Sequence, residues 1–289
     1  MHYVKDTNHL SELCSKLNKS KFLAIDTEFI REKTYWPKLC LIQVFNGKDK
    51  IIIDPLAKEL DLKPFFKILS NNEIVKIFHS GRQDIEIFYN LTKKIPKNIY
   101  DTQIAAMVCG FGDSIGYENL VSQLLGKKID KTSRLTNWSN RPLSKKQINY
   151  AISDVTHLFE IYPLIKDKII NNKRESWFKE EIRILISKKT YDLNPDDSWK
   201  RLKFRNLNKN SIGILIELAK WREIKAQEKD VPRGNIIRDD AIYELCSAQP
   251  KNRDDLNNLR SFNRKGSLRK EFTEEIIKII DKGKSIKKE

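Results

Sequence analysis

The run Phe22-Leu23-Ala24-Ile25-Asp26-Thr27-Glu28-Phe29 constrains this chain more than any other stretch. It opens with apolar residues, as a strand covered on both faces does, and ends in two acids. Asp26 and Glu28 are two apart, so on a strand both point to one face. Side by side there they repel and lose hydration, and something positive must compensate. Taken alone, a D-x-E pair reads more readily as a salt-bridged pair at a strand end.

The segments around that run predict a mixed sheet. Residues 39–45 and 51–53 are strand candidates joined by a turn at Asn46-Gly47. Strands at 74–78 and 99–100 then alternate with helices at 60–69, 83–91 and 102–109, the last opened by Asp101 as N-cap. Helices at 117–125 and 144–170 follow. Three strands first and then strands in alternation with helices give an α/β fold with crossovers. From about residue 171 the sequence reads as helix and loop. A long polar helix spans 173–189, and Asn194-Pro195-Asp196-Asp197 breaks it. A strongly amphipathic helix over 211–229 sets Ile212, Leu215, Ile216, Ala219 and Ile224 near one face. A loop at Val231-Pro232-Arg233-Gly234-Asn235, short helices ending with one over 272–280, and a frayed tail from Lys282 complete the chain. The expected division is 1–170, a helical linker over 171–206, and a small all-α domain over 207–289.

Composition narrows the function classes. No run of ~18 uncharged apolar residues is present, which excludes a membrane-spanning helix. Cys14, Cys40, Cys109 and Cys246 are scattered, with no metal-type or disulfide-scaffold spacing. The first ten residues lack the apolar run of a signal peptide, so a reducing cytoplasm is expected. The chain carries 55 basic and 39 acidic residues, a net of +16. The excess is +8 in residues 1–150, zero in 151–200 and +8 in 201–289. Such charge fits a polyanionic partner, although a composition rich in Lys, Asn and Ile yields it without one.

Three further residues matter. Asp84, in His79-Ser80-Gly81-Arg82-Gln83-Asp84, follows a strand and sits in the first turn of the next helix. It reads as a helix-dipole acid or as a carboxylate at the carboxyl end of a strand, where open α/β sheets place ligands. His79 by itself reads as a structural hydrogen-bonder. Tyr150 and Asp154 are four apart on the 144–170 helix and so share a face. Together Asp26, Glu28, Asp84 and Asp154 form a hard-oxygen set suited to Mg²⁺ or Mn²⁺. Two such ions ~3.5–4 Å apart stabilise the attacking and leaving oxygens of a phosphoryl displacement.

In this order, D-x-E, D and Y-x-x-x-D resemble the motifs of the ribonuclease D family, 3′–5′ exonucleases of the DEDD superfamily in its tyrosine subgroup. The likeness also rests on Thr34-Tyr35-Trp36-Pro37-Lys38-Leu39, Leu41-Ile42-Gln43, Ile53-Asp54-Pro55, Asp101-Thr102-Gln103, Trp138 and Arg141-Pro142-Leu143. Residues from 207 onward resemble one helicase-and-ribonuclease-D C-terminal (HRDC) domain, marked by Leu218-Ala219-Lys220-Trp221-Arg222. The family's usual architecture has two.

The resemblance implies a ribonuclease-H-like exonuclease domain holding two divalent ions. Asp26 would bridge both. Glu28 and Asp154 would hold the ion carrying the attacking water, and Asp84 would support the other through water. Tyr150 would orient or deprotonate the nucleophile. Phe29 would pack on the terminal nucleotide or in the core, and His79 would line the substrate site. The implied activity is release of 5′-mononucleotides from RNA 3′ ends, with tRNA precursors as substrates and no protein partner. A DNA exonuclease or a non-catalytic nucleic-acid adaptor are the alternatives.

Overall fold

Strand β2 (Phe22–Ile30) carries the two acids near the middle of a mixed sheet. The computed structural model describes residues 1–130, 132–203, 209–262 and 271–286. Among these, six strands form one sheet: β1 (His2–Val4), β4 (Lys50–Ile53), β3 (Lys38–Phe45), β2, β5 (Val75–Phe78) and β6 (Ile99–Asp101), in that spatial order. β3 lies antiparallel between β2 and β4, whereas β5 and β6 continue from β2 in parallel. Val44, Ile51 and Ile53 bury one face of the β3–β4 hairpin, and Asn46 closes its turn through hydrogen bonds from the Lys48 and Asp49 amides.

The two sheet faces are covered differently. Leu23, Ile25, Ile42 and Val44 pack beneath α1 (Thr7–Leu17), α2 (Lys63–Ser70) and α3 (Arg82–Thr92). Ala24, Leu41 and Ile52 face α6 (Lys145–Asn171), whose buried stripe includes Ala151, Ile152, Val155 and Leu158. α4 (Thr102–Val108) and α5 (Tyr117–Leu125) complete that layer. α6 starts cleanly because Ser144 and Gln147 form a reciprocal capping box.

Several elements depart from the sequence reading. β1 and α1 precede the first expected strand; α1 is capped by Asp6 and buries Leu10, Leu13, Cys14 and Leu17. The helix expected over 173–189 is shorter, α7 (Glu175–Leu185). Lys173 takes a left-handed φ of 56° ahead of it, and Lys188–Thr190 forms a separate turn of 3₁₀ helix. The expected loop 231–235 contains a short helix, α9 (Arg233–Ile236), entered from Pro232.

The chain divides into two units: Met1–Ile30 with Pro37–Tyr191, and Arg31–Trp36 with Asp192–Glu289. The second unit is helical, built on α8 (Lys209–Glu228) with α9, α10 (Asp239–Ala248), α11 (Arg253–Asn257) and α12 (Thr273–Lys284). α12 runs past the helix end expected at 280, so Lys282 belongs to it; residues 287–289 of the expected tail lie outside the described residues. α8 and α12 touch at Gly213 and Gly283, where a Cβ on either would overlap the backbone of the other helix. Inside this unit Glu223 is buried with both oxygens engaged by Arg233, and the Tyr35 hydroxyl and Arg201 complete its shell. Burial pushes the Glu223 carboxyl up, but these hydrogen bonds outweigh it and hold the group below its usual range. Among the described residues no helix is long and apolar enough to cross a membrane.

Candidate active site

The sheet faces sort the acids. Asp26 and Glu28 point with Ala24 toward α6, where Asp154 sits one turn after Tyr150. One ligand oxygen from each of Asp26, Glu28 and Asp154 lies within 4.8 Å of the others. A bulge between Glu28 and Phe29 shifts the β2–β3 register just beyond the cluster, the kind of irregularity that re-aims a side chain next to a site. Asp84, in the first turn of α3, lies outside this three-residue group. Thr27, between the two strand acids, donates its hydroxyl hydrogen to Asp84 Oδ1 at 2.5 Å.

Among the described residues no side-chain cation compensates this charge in full. Burial pushes Asp26 well above the ordinary carboxylate range, and the charges of Asp84, Asp154 and Glu28 add to the shift. Burial, then the Asp154 and Asp84 charges, push Glu28 up to about 9, with the Arg134 guanidinium opposing. Burial takes Asp154 up to about 7, against the pull of the Tyr150 phenol and the Arg134 guanidinium. Asp84 rises to about 6 through burial, with the Thr27 hydrogen bond opposing. Asp154 Oδ1 is buried and has no hydrogen-bond partner among the described residues. An orphaned carboxylate oxygen beside two further carboxylates fits a hard divalent cation.

A cleft of about 450 Å³ opens beside the cluster, with Asp26, Asp84 and Asp154 in its lining. Phe29, His79, Tyr117, Arg134 and Tyr150 are among its walls. Phe29 also packs against the core beneath it. The His79 Nδ1 atom is 3.0 Å from Thr102 Oγ1, and burial lowers its imidazole pKa, which keeps it neutral. Burial first, then the Asp154 and Glu28 charges, raise the Tyr150 phenol above its usual range.

Among the wall residues, Tyr117 and Arg134 were not singled out from the sequence, and Thr27 and Gln103 stood there only as members of motifs. Tyr117 donates its hydroxyl to the Asp154 carbonyl, and its ring centroid is 5.2 Å from that of His79. Gln103 donates to the Ile115 carbonyl at 3.0 Å. Arg134 is exposed at the cleft, on the segment leading to α6. That segment is pinned by Arg141, which grips the buried Asp54 with two bonds of 2.7 Å and also donates to the Cys40 and Trp138 carbonyls. Asp101, expected only as a helix cap, does more. It accepts from the Gln103 and Ile104 amides and also from Ser80 and Gly81, fixing the turn between His79 and α3. Ser80 there has a φ of 55°.

Residues 1–170 match the model of a 3′-5′ exonuclease family, and 212–280 match the HRDC domain. Over 283 residues the chain is 40% identical to ribonuclease D of Nitrobacter hamburgensis, covering 98% of this chain and 74% of that protein. The chain belongs to the ribonuclease D family. A second relative, ribonuclease D of Bartonella henselae, is 45% identical over 91% of this chain, although the chain spans only 65% of its length. Among solved structures, Escherichia coli RNase D, described as an exoribonuclease involved in structured RNA processing, superposes with a TM-score of 0.90 at 29% identity. That match covers 98% of this chain and 75% of the other. Ribonuclease D membership places the acid cluster, the cleft and the sheet inside the exonuclease-matching part of the chain.

Proposed function

We propose that this chain is a metal-dependent 3′–5′ exoribonuclease releasing 5′-mononucleotides from RNA 3′ ends, with tRNA precursors as substrates and two divalent ions, Mg²⁺ or Mn²⁺, as cofactors. The observation that carries this reading is the convergence of Asp26, Glu28 and Asp154 within 4.8 Å, with Asp26 and Asp154 lining an open cleft. Asp26 would hold both ions, Glu28 and Asp154 one of them, and Asp84 would support the other through water. Such ions supply a water acidified far below its bulk pKa and positive charge at the scissile phosphate. Tyr150, kept protonated by its raised pKa, orients the attacking water by hydrogen bonding. Arg134, at the cleft, faces the incoming phosphate. Phe29 offers a ring to the terminal base, and neutral His79 lines the adjoining wall. The basic HRDC unit holds more distant phosphates. The four cysteines are unpaired, in keeping with a reducing cytoplasm as the proposed location.

The test is hydrolysis of end-labelled RNA and matched DNA oligonucleotides by the purified protein with Mg²⁺, Mn²⁺ or EDTA. RNA shortened one nucleotide at a time from the 3′ end, only with metal, is the expected result. Preferential shortening of DNA would move the assignment to a DNA exonuclease, and binding without cleavage would make the chain an adaptor.

A further inference from the structure

We infer that the exonuclease unit carries a second RNA site, formed by the turn after α4, the C-terminal end of α6 and the start of α7, which takes single strand upstream of the 3′ end by base stacking and phosphate contact. A cleft of about 600 Å³ opens there among Cys109, Phe111, Gln123, Lys168, Asn171 and Asn172. Two cation–aromatic pairs border it. Lys168 Nζ lies 5.8 Å from the centroid of the Phe111 ring, and the Arg174 guanidinium lies 5.1 Å from that of Trp177. Arg174 also donates to the Val108 carbonyl, one residue before Cys109, which ties the Trp177 side to the cleft wall. Trp177 is 56% exposed, so its ring has surface free to stack on a base. Neither Lys168 nor Arg174 is paired with a carboxylate among the described residues.

These are the parts that single-strand recognition uses. Aromatic faces stack bases of any sequence, cations take the phosphates, and side-chain amides reach base edges and 2′-hydroxyls. Residues 151–200 carry no net charge, so the placement of individual cations, not their excess, marks this surface. Its position suits a strand whose 3′ end lies at the acids. Glu118 and Asn119 of α5 line the active-site cleft, and Gln123, one turn further along α5, lines the second. On α6, Asp154 lies at the first cleft and Lys168 at the second, about 21 Å apart along the axis. At a stacked spacing of about 3.4 Å per nucleotide, some six nucleotides bridge that distance.

This inference rests on the reading of the substrate as RNA, and the two are tested apart because binding is measured in EDTA and cleavage only after Mg²⁺ is added. Fluorescence anisotropy follows a labelled single-stranded RNA of about twelve nucleotides, long enough to span both clefts. The proteins are full-length wild type, Trp177→Ala, Trp177→Phe and Lys168→Gln, each shown to be folded by its thermal melt. Trp177→Ala should bind at least about fivefold more weakly, the low end of the loss when a stacked base loses its aromatic partner. Trp177→Phe should recover part of that loss. Lys168→Gln should make the log–log salt dependence shallower by about 0.7, the share of one phosphate contact on a single strand. Wild-type affinity in Trp177→Ala would overturn the site, as would a wild type that binds no RNA. RNA bound with this dependence on Trp177 but left uncut in Mg²⁺ would remove the proposed activity and leave the site standing.

Discussion

Thr27 donates its hydroxyl hydrogen to Asp84 Oδ1 at 2.5 Å, from the face of β2 opposite to Asp26 and Glu28. One strand thus gathers acids from both sides: two through its own carboxylates and a third by a hydrogen bond across the sheet edge. Thr27→Val keeps the shape and removes the donor. Asp84 should then titrate higher than about 6, because the bond that opposes its burial is lost. The acid limb of the pH–rate profile should move to higher pH, with stability lowered by about 1–2 kcal/mol. An unchanged acid limb would show that Asp84 does not govern activity.

The acid cluster also makes stability depend on pH in a definite sense. Glu28, Asp154 and Asp84 have folded pKa values of about 9, 7 and 6, all above their values in an unfolded chain. Between about pH 4 and 9 the metal-free folded state therefore holds more protons than the unfolded one. The cluster's contribution to stability is full below the unfolded values and is lost as pH rises through the folded ones. Bound Mg²⁺ displaces those protons and cancels the loss. The gap between melting temperatures in Mg²⁺ and in EDTA should widen from pH 5.5 to 8.5. A gap constant over that range would place the metal elsewhere.

The Arg141–Asp54 pair predicts a structural effect that reaches the cleft. Burial pushes Asp54 up, but the Arg141 fork and the Tyr3 hydroxyl hold it below its usual range. Arg141→Ala leaves a buried carboxylate unpaired, at a cost of about 3 kcal/mol. Arg141→Lys restores charge without the two-pronged geometry and should recover only part. Calorimetric melting of the three proteins checks this, and equal stability of Arg141→Lys and wild type would count against the fork.

Tyr150→Phe removes one hydroxyl and keeps the ring, 6.1 Å from that of Trp138, packed as before. Single-turnover cleavage should fall by roughly 10²-fold or more, with RNA affinity and Mg²⁺-induced stabilisation near wild type. A rate within about threefold of wild type would leave Tyr150 a packing residue, since lost acid–base help costs far more than that.

The mixed sheet, the helical second unit and the four acids were legible because their signals are local. An apolar run ending in D-x-E and a Tyr–Asp pair four apart on a helix each declare a face within a few residues. Tyr117 gave no such signal: its partner is the Asp154 carbonyl, 37 positions away. Arg141 and Asp54 stood in the sequence as family markers, and only the fold, bringing together residues 87 apart, shows them clamping one segment. α1 does carry an i, i+3, i+4, i+7 stripe in Leu10, Leu13, Cys14 and Leu17. What hid the first elements was β1, three residues long and at the sheet edge, too short to show alternation. The late start of α7 reflects Lys173, whose left-handed backbone is a conformation that residue type does not announce.

Asp26→Asn tests the central claim most directly. The change keeps the shape of the side chain and removes its charge, relieving repulsion from Glu28, Asp84 and Asp154. The variant should fold, melt at or above the wild-type temperature in EDTA, and respond less to Mg²⁺. With end-labelled RNA and saturating Mg²⁺, wild type should release mononucleotides stepwise from the 3′ end, and Asp26→Asn should release none. Undiminished RNA degradation by Asp26→Asn would contradict the account at its base.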